Sequence, residues 1–264
     1  MDDDARALRR GVGAGAPVSE ELDDATVLAL WLTAWLRGEV SLDDARDAVV
    51  GGDAAHDVLD LPGDPGDAGT STPLILALGR LRAAGATGAS LALPEPGDPL
   101  GLAGPPAFNA EAFEAEQAVV VRGTGVGLVP VRAGAGVVWR CLPATPPPPT
   151  HGVADAERVL RRTLTTTADA LVDLDVARWR PEVADEIMDL RRPLAMPVPA
   201  SLSGRTQALL ALATRCRRIV ALAREDDGNA VTAREIAVRR EALQPLDGAA
   251  RRAVVAACDP DAER

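Results

Sequence analysis

The sequence predicts an α+β fold: N-terminal helices plus a small, mainly antiparallel sheet, followed by a C-terminal helical bundle. Three observations predict it. Apolar residues recur at helical spacing over residues 20–37, 73–85, 153–178 and 205–226. Three β-rich runs, "AVVVRG", "GLVPVRAG" and "GVVWRCLP", follow one another across glycine turns, as in an antiparallel meander. The charge then changes character: residues 1–150 hold 10 arginines against 21 acidic residues, whereas residues 151–264 hold 18 of each. This division coincides with "TPPPPT", a stiff spacer of polyproline II type. The expected organisation is an acidic α+β part at 1–144, a proline-rich spacer at 145–150, and an Arg-rich helical bundle at 151–264 packed on the first part.

Taken in order, "EELDDATVLALWLTAWLR" carries Val27, Leu28, Trp31, Ala34 and Trp35 on one face, with acids in its first turn, and Gly38 stops it. Ser41 and Asp44 in "SLDD" form a variant capping box for a second helix that runs to Val50 and ends at Gly51–Gly52. "DAAHDVLDL" reads as a short third helix, and residues 62–72 as a turn-rich linker. A helix over 73–85 and a strand at 89–94 come next. The stretch "EPGDPLGLAGPPAFN" (95–109) then crosses to a short helix, "AEAFEAEQ", with Asn109 as its expected N-cap. After the meander and spacer, Leu160, Leu164, Leu171 and Leu174 form a helical seam with Thr167 in its middle. A short helix lies within 180–193. Leu209, Leu212, Ala213, Cys216, Ile219, Val220 and Ala223 form a clean stripe. "TARE" at 232–235 is a capping box, and Asp247 is placed to cap a last, separate helix.

Composition excludes several chemistries. All 28 basic residues are arginine and there is no tyrosine. A phosphate-loop lysine, a Schiff-base lysine and a tyrosine nucleophile are therefore absent. Ala, Arg, Gly, Pro, Asp and Val dominate, the bias of GC-rich codons, which accounts for much of the arginine usage. Three separated cysteines make neither a CxxC pair nor a disulfide framework. The acidic half and the lack of a basic stripe argue against nucleic acid. No apolar run approaches a membrane span, and "MDDDARALRR" has no apolar region behind it, so the expectation is a cytoplasmic protein without membrane contact. "GTGVG" at 123–127 lacks the third glycine of a dinucleotide loop and leads into a β run, so it reads as a hairpin turn. No cofactor is implied.

Two places remain as candidate sites, and no residue as a catalytic one. Asp53, His56, Asp57 and Asp60 stand at i, i+3, i+4 and i+7. On a helix this spacing puts them on one face, compatible with a hard divalent ion. An ordinary amphipathic helix with Ala54, Ala55, Val58 and Leu59 inward gives the same pattern. The 95–109 stretch reads either as a stiff strand-to-helix crossing pinned by Leu100, Leu102 and Phe108, or as a ligand loop with Asp98, Leu100, Gly101 and Gly104 at the ligand. Arginine pairs at 161–162, 191–192, 217–218, 239–240 and 251–252 straddle polar helix faces. They point to solvent, to an anion or acidic partner, or to the acidic half of the same chain.

Two segments, "PGDPLGLAGPPAFNAEAFEAEQAVV" with the "GLVP" that follows, and "ALAREDDGNAVTAREIAVRREALQPLDGAARRAVVAA", resemble those of hypothetical proteins from high-GC actinobacteria. The resemblance implies an intracellular bacterial protein and carries no activity, cofactor or site residue with it. The functional expectation is a non-catalytic interaction or regulatory protein that forms a homo-oligomer, motivated by Trp31 and Trp35 one turn apart and by alanine-faced helices. The alternative is a binder of, or enzyme acting on, a small anionic metabolite between sheet and bundle.

Overall fold

The computed structural model describes residues 22–62, 69–148, 152–173, 196–225 and 233–261. Its elements are α1 (Asp24–Leu36), α2 (Leu42–Val50), β1 (His56–Leu59), β2 (Ser71–Pro73), α3 (Leu74–Ala83), β3 (Gly88–Ala92), α4 (Pro106–Ala115), β4 (Ala118–Arg122), β5 (Val126–Ala133), β6 (Gly136–Pro143), α5 (Val153–Asp173), α6 (Gly204–Glu225) and α7 (Ala233–Cys258). The strands form one sheet in the order β2-β1-β6-β5-β4-β3. Every neighbouring pair is antiparallel except β1 with β6, where Asp57 lies opposite Val138 and Val58 opposite Trp139. The fold is α+β, with N-terminal helices and sheet followed by C-terminal helices.

Alternation along the strands sorts side chains to two faces. Val58, Leu91, Val119, Val121, Leu128, Val137 and Trp139 share one large core with α1–α3 and the three C-terminal helices. On the other face Val120, Val129 and Ala118 lie with Phe108 and Ala112 of α4 in a smaller cluster. Gly127 is there because a Cβ would overlap the Phe108 ring. α1 is buried on nearly all sides, from Ala25 to Ala34 with Trp31 the exception, as befits a helix that is apolar all round. It lies against β3 and β4 on one side and α7 on another. Both of its tryptophans make contacts within the chain. Trp35 is buried under the Arg82 guanidinium, 5.1 Å from the ring centroid, and Trp31 Nε1 donates to the Pro197 carbonyl at 2.6 Å. That removes the motive they supplied for a partner.

The Ser41 cap is present: its hydroxyl accepts from Asp44 N at 3.0 Å. Gly123 and Gly125, both at positive φ, turn β4 into β5, the hairpin reading of "GTGVG". Three expectations are corrected. Residues 56–59 form a strand, not a helix. Four residues fit either period, and the inward pair His56 and Val58 finds its place in the parallel ladder beside β6. Helix α4 starts one turn earlier than expected, with Pro105 and Pro106 at its N-terminus, so Asn109 lies inside it. Finally, Asp247 caps nothing: α7 runs unbroken through Pro245 for 26 residues, because Leu243 and Leu246 on either side of the proline are both buried in the main core. The helix expected within 180–193, Thr232 and the Glu235 side chain of the "TARE" box, Leu174 and the side chain of Leu171 lie outside the described residues.

Candidate functional site

The proline-rich crossing folds on itself. Glu95 and Asp98 exchange backbone hydrogen bonds of 2.9 and 2.8 Å around Pro96–Gly97, Gly97 at φ 86°, the residue order of a type II turn. Leu93 N donates to the Leu100 carbonyl at 3.1 Å. The tip is then held from α7. Arg251 Nη1 donates to the Leu93 carbonyl (2.7 Å), and Nη2 reaches Asp98 Oδ2 (3.1 Å) and lies 3.2 Å from Glu95 Oε2. Arg252 Nη2 donates to the same Asp98 oxygen at 3.0 Å, and Asp247 Oδ2 stands 3.9 Å from Arg251 Nε. The Arg251 side chain is only 6% exposed; the carboxylates and the carbonyl replace the water lost by its two Nη groups, while its Nε makes no hydrogen bond.

Each of the four residues expected at a ligand therefore has an internal contact. Asp98 holds two guanidiniums. Leu100 packs on the main core. The Gly101 backbone, at φ 83°, lies so close to Leu91 and Ala92 that a Cβ would overlap them. Gly104 N donates to Asn109 Oδ1 at 3.0 Å, and its carbonyl accepts from Thr145 N at 2.8 Å. The arginine pair 251–252 was visible in the sequence, but its partner lies 154 residues from Arg252.

The acidic quartet separates, because in a strand alternate residues point to opposite faces. His56 is buried. Its Nδ1 accepts from Trp139 Nε1 at 3.3 Å, and its Nε2 lies 2.9 Å from Asp53 Oδ2. An indole N–H only donates, so Nδ1 supplies its lone pair and Nε2 carries the proton that Asp53 receives. Asp53 also takes Arg132 Nη1 at 2.8 Å, and Arg132 Nη2 donates to Asp24 Oδ1 at 2.9 Å. Burial works to raise the Asp53 carboxyl, but the hydrogen bonds from His56 and Arg132 outweigh it and hold the group below its ordinary value. Burial raises Asp24, with Arg132 only partly offsetting it. Asp57 points to the opposite face of the sheet, half-buried, and Asp60, at φ 60°, accepts from Gly69 N at 2.6 Å. Among the described residues no group of three or more His, Cys, Asp or Glu is arranged to hold a metal ion.

All three thiols are buried. Burial pushes Cys141 up to about 12 and Cys216 up to about 11, and Cys258 rises for the same reason. None supplies a thiolate near neutral pH.

A cavity of about 130 Å³ lies where the end of α1, the start of α5, the start of α6 and the end of α7 meet. Thr33, Arg37, Val153, Ser201, Thr206 and Cys258 are among its walls. Ser203 caps α6 there, its hydroxyl accepting from Thr206 N at 3.2 Å. The serine and threonine three apart in "SLSGRT" are the sequence signal for that cap, and the stripe reading of α6 passed over it. Arg37 reaches across the mouth to the Pro260 carbonyl.

These features define an α+β protein whose mixed sheet and N-terminal helices are joined to a C-terminal helical layer by arginine–carboxylate contacts. The chain belongs to the Rv1486c-like protein family: the model of that family's N-terminal domain matches residues 25–154 and that of its C-terminal domain residues 154–255. It is 31% identical over 213 residues to the uncharacterized protein Rv1486c of Mycobacterium tuberculosis strain H37Rv, covering 64% of this chain and 73% of that one. Against the uncharacterized protein MAV321 of Mycobacterium avium it is 31% identical over 199 residues, 60% of this chain and 64% of the other. No solved structure matches. The actinobacterial resemblance is thereby shown, and the names of these relatives carry no activity. No helix among the described residues is long and apolar enough to cross a membrane.

Proposed function

We propose that the protein is a non-catalytic interaction or regulatory protein of the cytoplasm that self-associates, with no nucleic-acid or membrane partner. Residues 1–144 serve in this reading as the acidic α+β part, 145–150 as the spacer, and 151–264 as the Arg-rich bundle packed on it. The observation that carries it is the internal engagement of the groups best suited to chemistry. Both nitrogens of His56 have partners, the thiols are raised by burial, and Asp98 is taken by two arginines. Support for self-association comes from the sheet face under α4. Beyond the Phe108 cluster that face carries Val131 and Val138, paired across β5 and β6, and Leu59 on β1. Val131 is 43% exposed. A β-branched sheet face packs well against another sheet, and a two-fold axis offers the same face from a second copy. Sedimentation velocity across a concentration series is expected to show a dimer that Val131→Arg abolishes. A wild-type monomer at every concentration ends the self-association reading.

The alternative, a binder of or enzyme on a small anionic metabolite, is favoured by the cavity between α1 and the helical layer, with Arg37 and hydroxyl groups in its wall. Thermal-shift titration with inorganic phosphate and small dicarboxylates tests it. A rise in Tm lost in Arg37→Ala supports the cavity. A rise lost in Asp98→Ala instead moves the ligand to the 95–109 loop, and no rise with any probe removes the reading.

A further inference from the structure

Helix α7 joins two unlike halves. From Leu246 to Cys258 every residue except Arg252 is buried. This half is also tied at several points: Arg251 to Leu93, Glu95 and Asp98, Arg252 to Asp98, and the chain just beyond it through Asp259 to Arg122. Toward the N-terminal side, Arg240, Glu241, Gln244 and Pro245 are exposed, and Leu243 is the one buried side chain among those described there.

Pro245, Asp247 and Gly248 stand at the junction. Proline has no N–H to give the Glu241 carbonyl and its ring crowds that group, while glycine and aspartate are poor residues for a helix interior. These residues are helical only because the packing of Leu243 and Leu246 holds them there. The same residues lessen the penalty of a break. If the helix parts after Pro245, the amides of Ala249 and Ala250 lose their carbonyl partners, and Asp247 stands at the position from which an N-cap carboxylate serves them. Arg251, near Asp247 in the unbroken helix, keeps a positive charge beside that carboxylate.

We propose that α7 is a hinged helix: a pillar, residues 249–258, fixed in the core, and an arm, residues 233–244, that opens and closes without it at Pro245–Gly248. α7 as a whole packs on both α5 and α6, so opening of the arm uncovers the surface it occupies on that helical layer while the sheet and its helices stay folded.

Hydrogen exchange of the full chain, read by mass spectrometry on peptides covering 238–244 and 249–258, tests the hinge. In the wild type the arm is expected to exchange through local opening, and the pillar only through global unfolding. Pro245→Ala is expected to raise arm protection by about 100-fold, toward that of the pillar, without changing the pillar. Gly248→Ala is a second variant, because its added Cβ meets only the end of the Arg252 side chain; it is expected to raise arm protection about fivefold. Equal protection along wild-type α7, or arm protection unmoved by both variants, overturns the hinge.

Discussion

Two sets of arginines in this protein make the same kind of contact in different surroundings. Along α5 and α6, Arg161 and Arg205 both meet the partly buried Glu157, at 3.1 and 3.0 Å, with both guanidiniums in water. Across the junction of the two halves, Arg251 meets Glu95 and Asp98 at 3.2 and 3.1 Å, with its guanidinium out of water. Distances do not distinguish the two sets. Burial does. An exposed pair gives up little hydration and gains little, whereas a buried charge that loses its partners has nothing to replace them. The arginines near α1 follow the second pattern in part. Arg217 contacts Asp23, and Arg122 braces Asp259 and Asp261.

Breaking the clamp is the severest test of this contrast. Arg251→Ala leaves the Leu93 carbonyl without its side-chain donor and Asp98 with Arg252 alone, and is expected to cost about 3 kcal/mol in urea denaturation. A loss under about 1 kcal/mol places the clamp among ordinary surface pairs. Next is the neutral bond beneath the acidic cluster. Trp139→Phe keeps a ring in the core but removes the donor to His56 Nδ1, and is expected to cost about 1–3 kcal/mol.

A smaller effect separates Asp53 from Asp24. The folded Asp53 carboxyl lies below its usual value of 3.8, so its contribution is fully present above that value and is lost as pH falls through the lower folded one. Asp24 is raised; it takes up its proton earlier in the folded state, and that works in the opposite direction. Asp53→Asn is therefore expected to flatten the fall of Tm below about pH 4. An unchanged acid limb means that Asp53 does not set it. The smallest effect belongs to the exposed set: Glu157→Gln is expected to leave the denaturation midpoint where it is, and a clear drop would erase the contrast.

Legibility in the sequence follows the range of the forces. The Ser41 cap, the "GTGVG" turn and the β4–β6 meander were readable because neighbours in sequence decide them. "HDVL" was not. Its four residues suit a helix or a strand, and β6, some eighty residues later, chose. Asp247 was read as the N-cap of a separate last helix, and the packing of Leu243 and Leu246 in the core overrode that local signal. The candidate site fared similarly. Asp98 was singled out as a polar group in an unusual loop, and it does sit at a convergence of charge. That the convergence is with Arg251 and Arg252 follows only from β3 and α7 lying side by side.

By itself, then, the sequence determined the class of fold, the acidic and arginine-rich halves, and the absence of lysine and tyrosine chemistry, since these depend on composition, periodicity and capping within a few residues. Tertiary structure alone decided which arginines are buried, the tautomer of His56, the split of the acidic quartet and the continuity of α7. Each of these depends on contacts between residues distant along the chain, whose strength is set by exclusion of water and not by residue type.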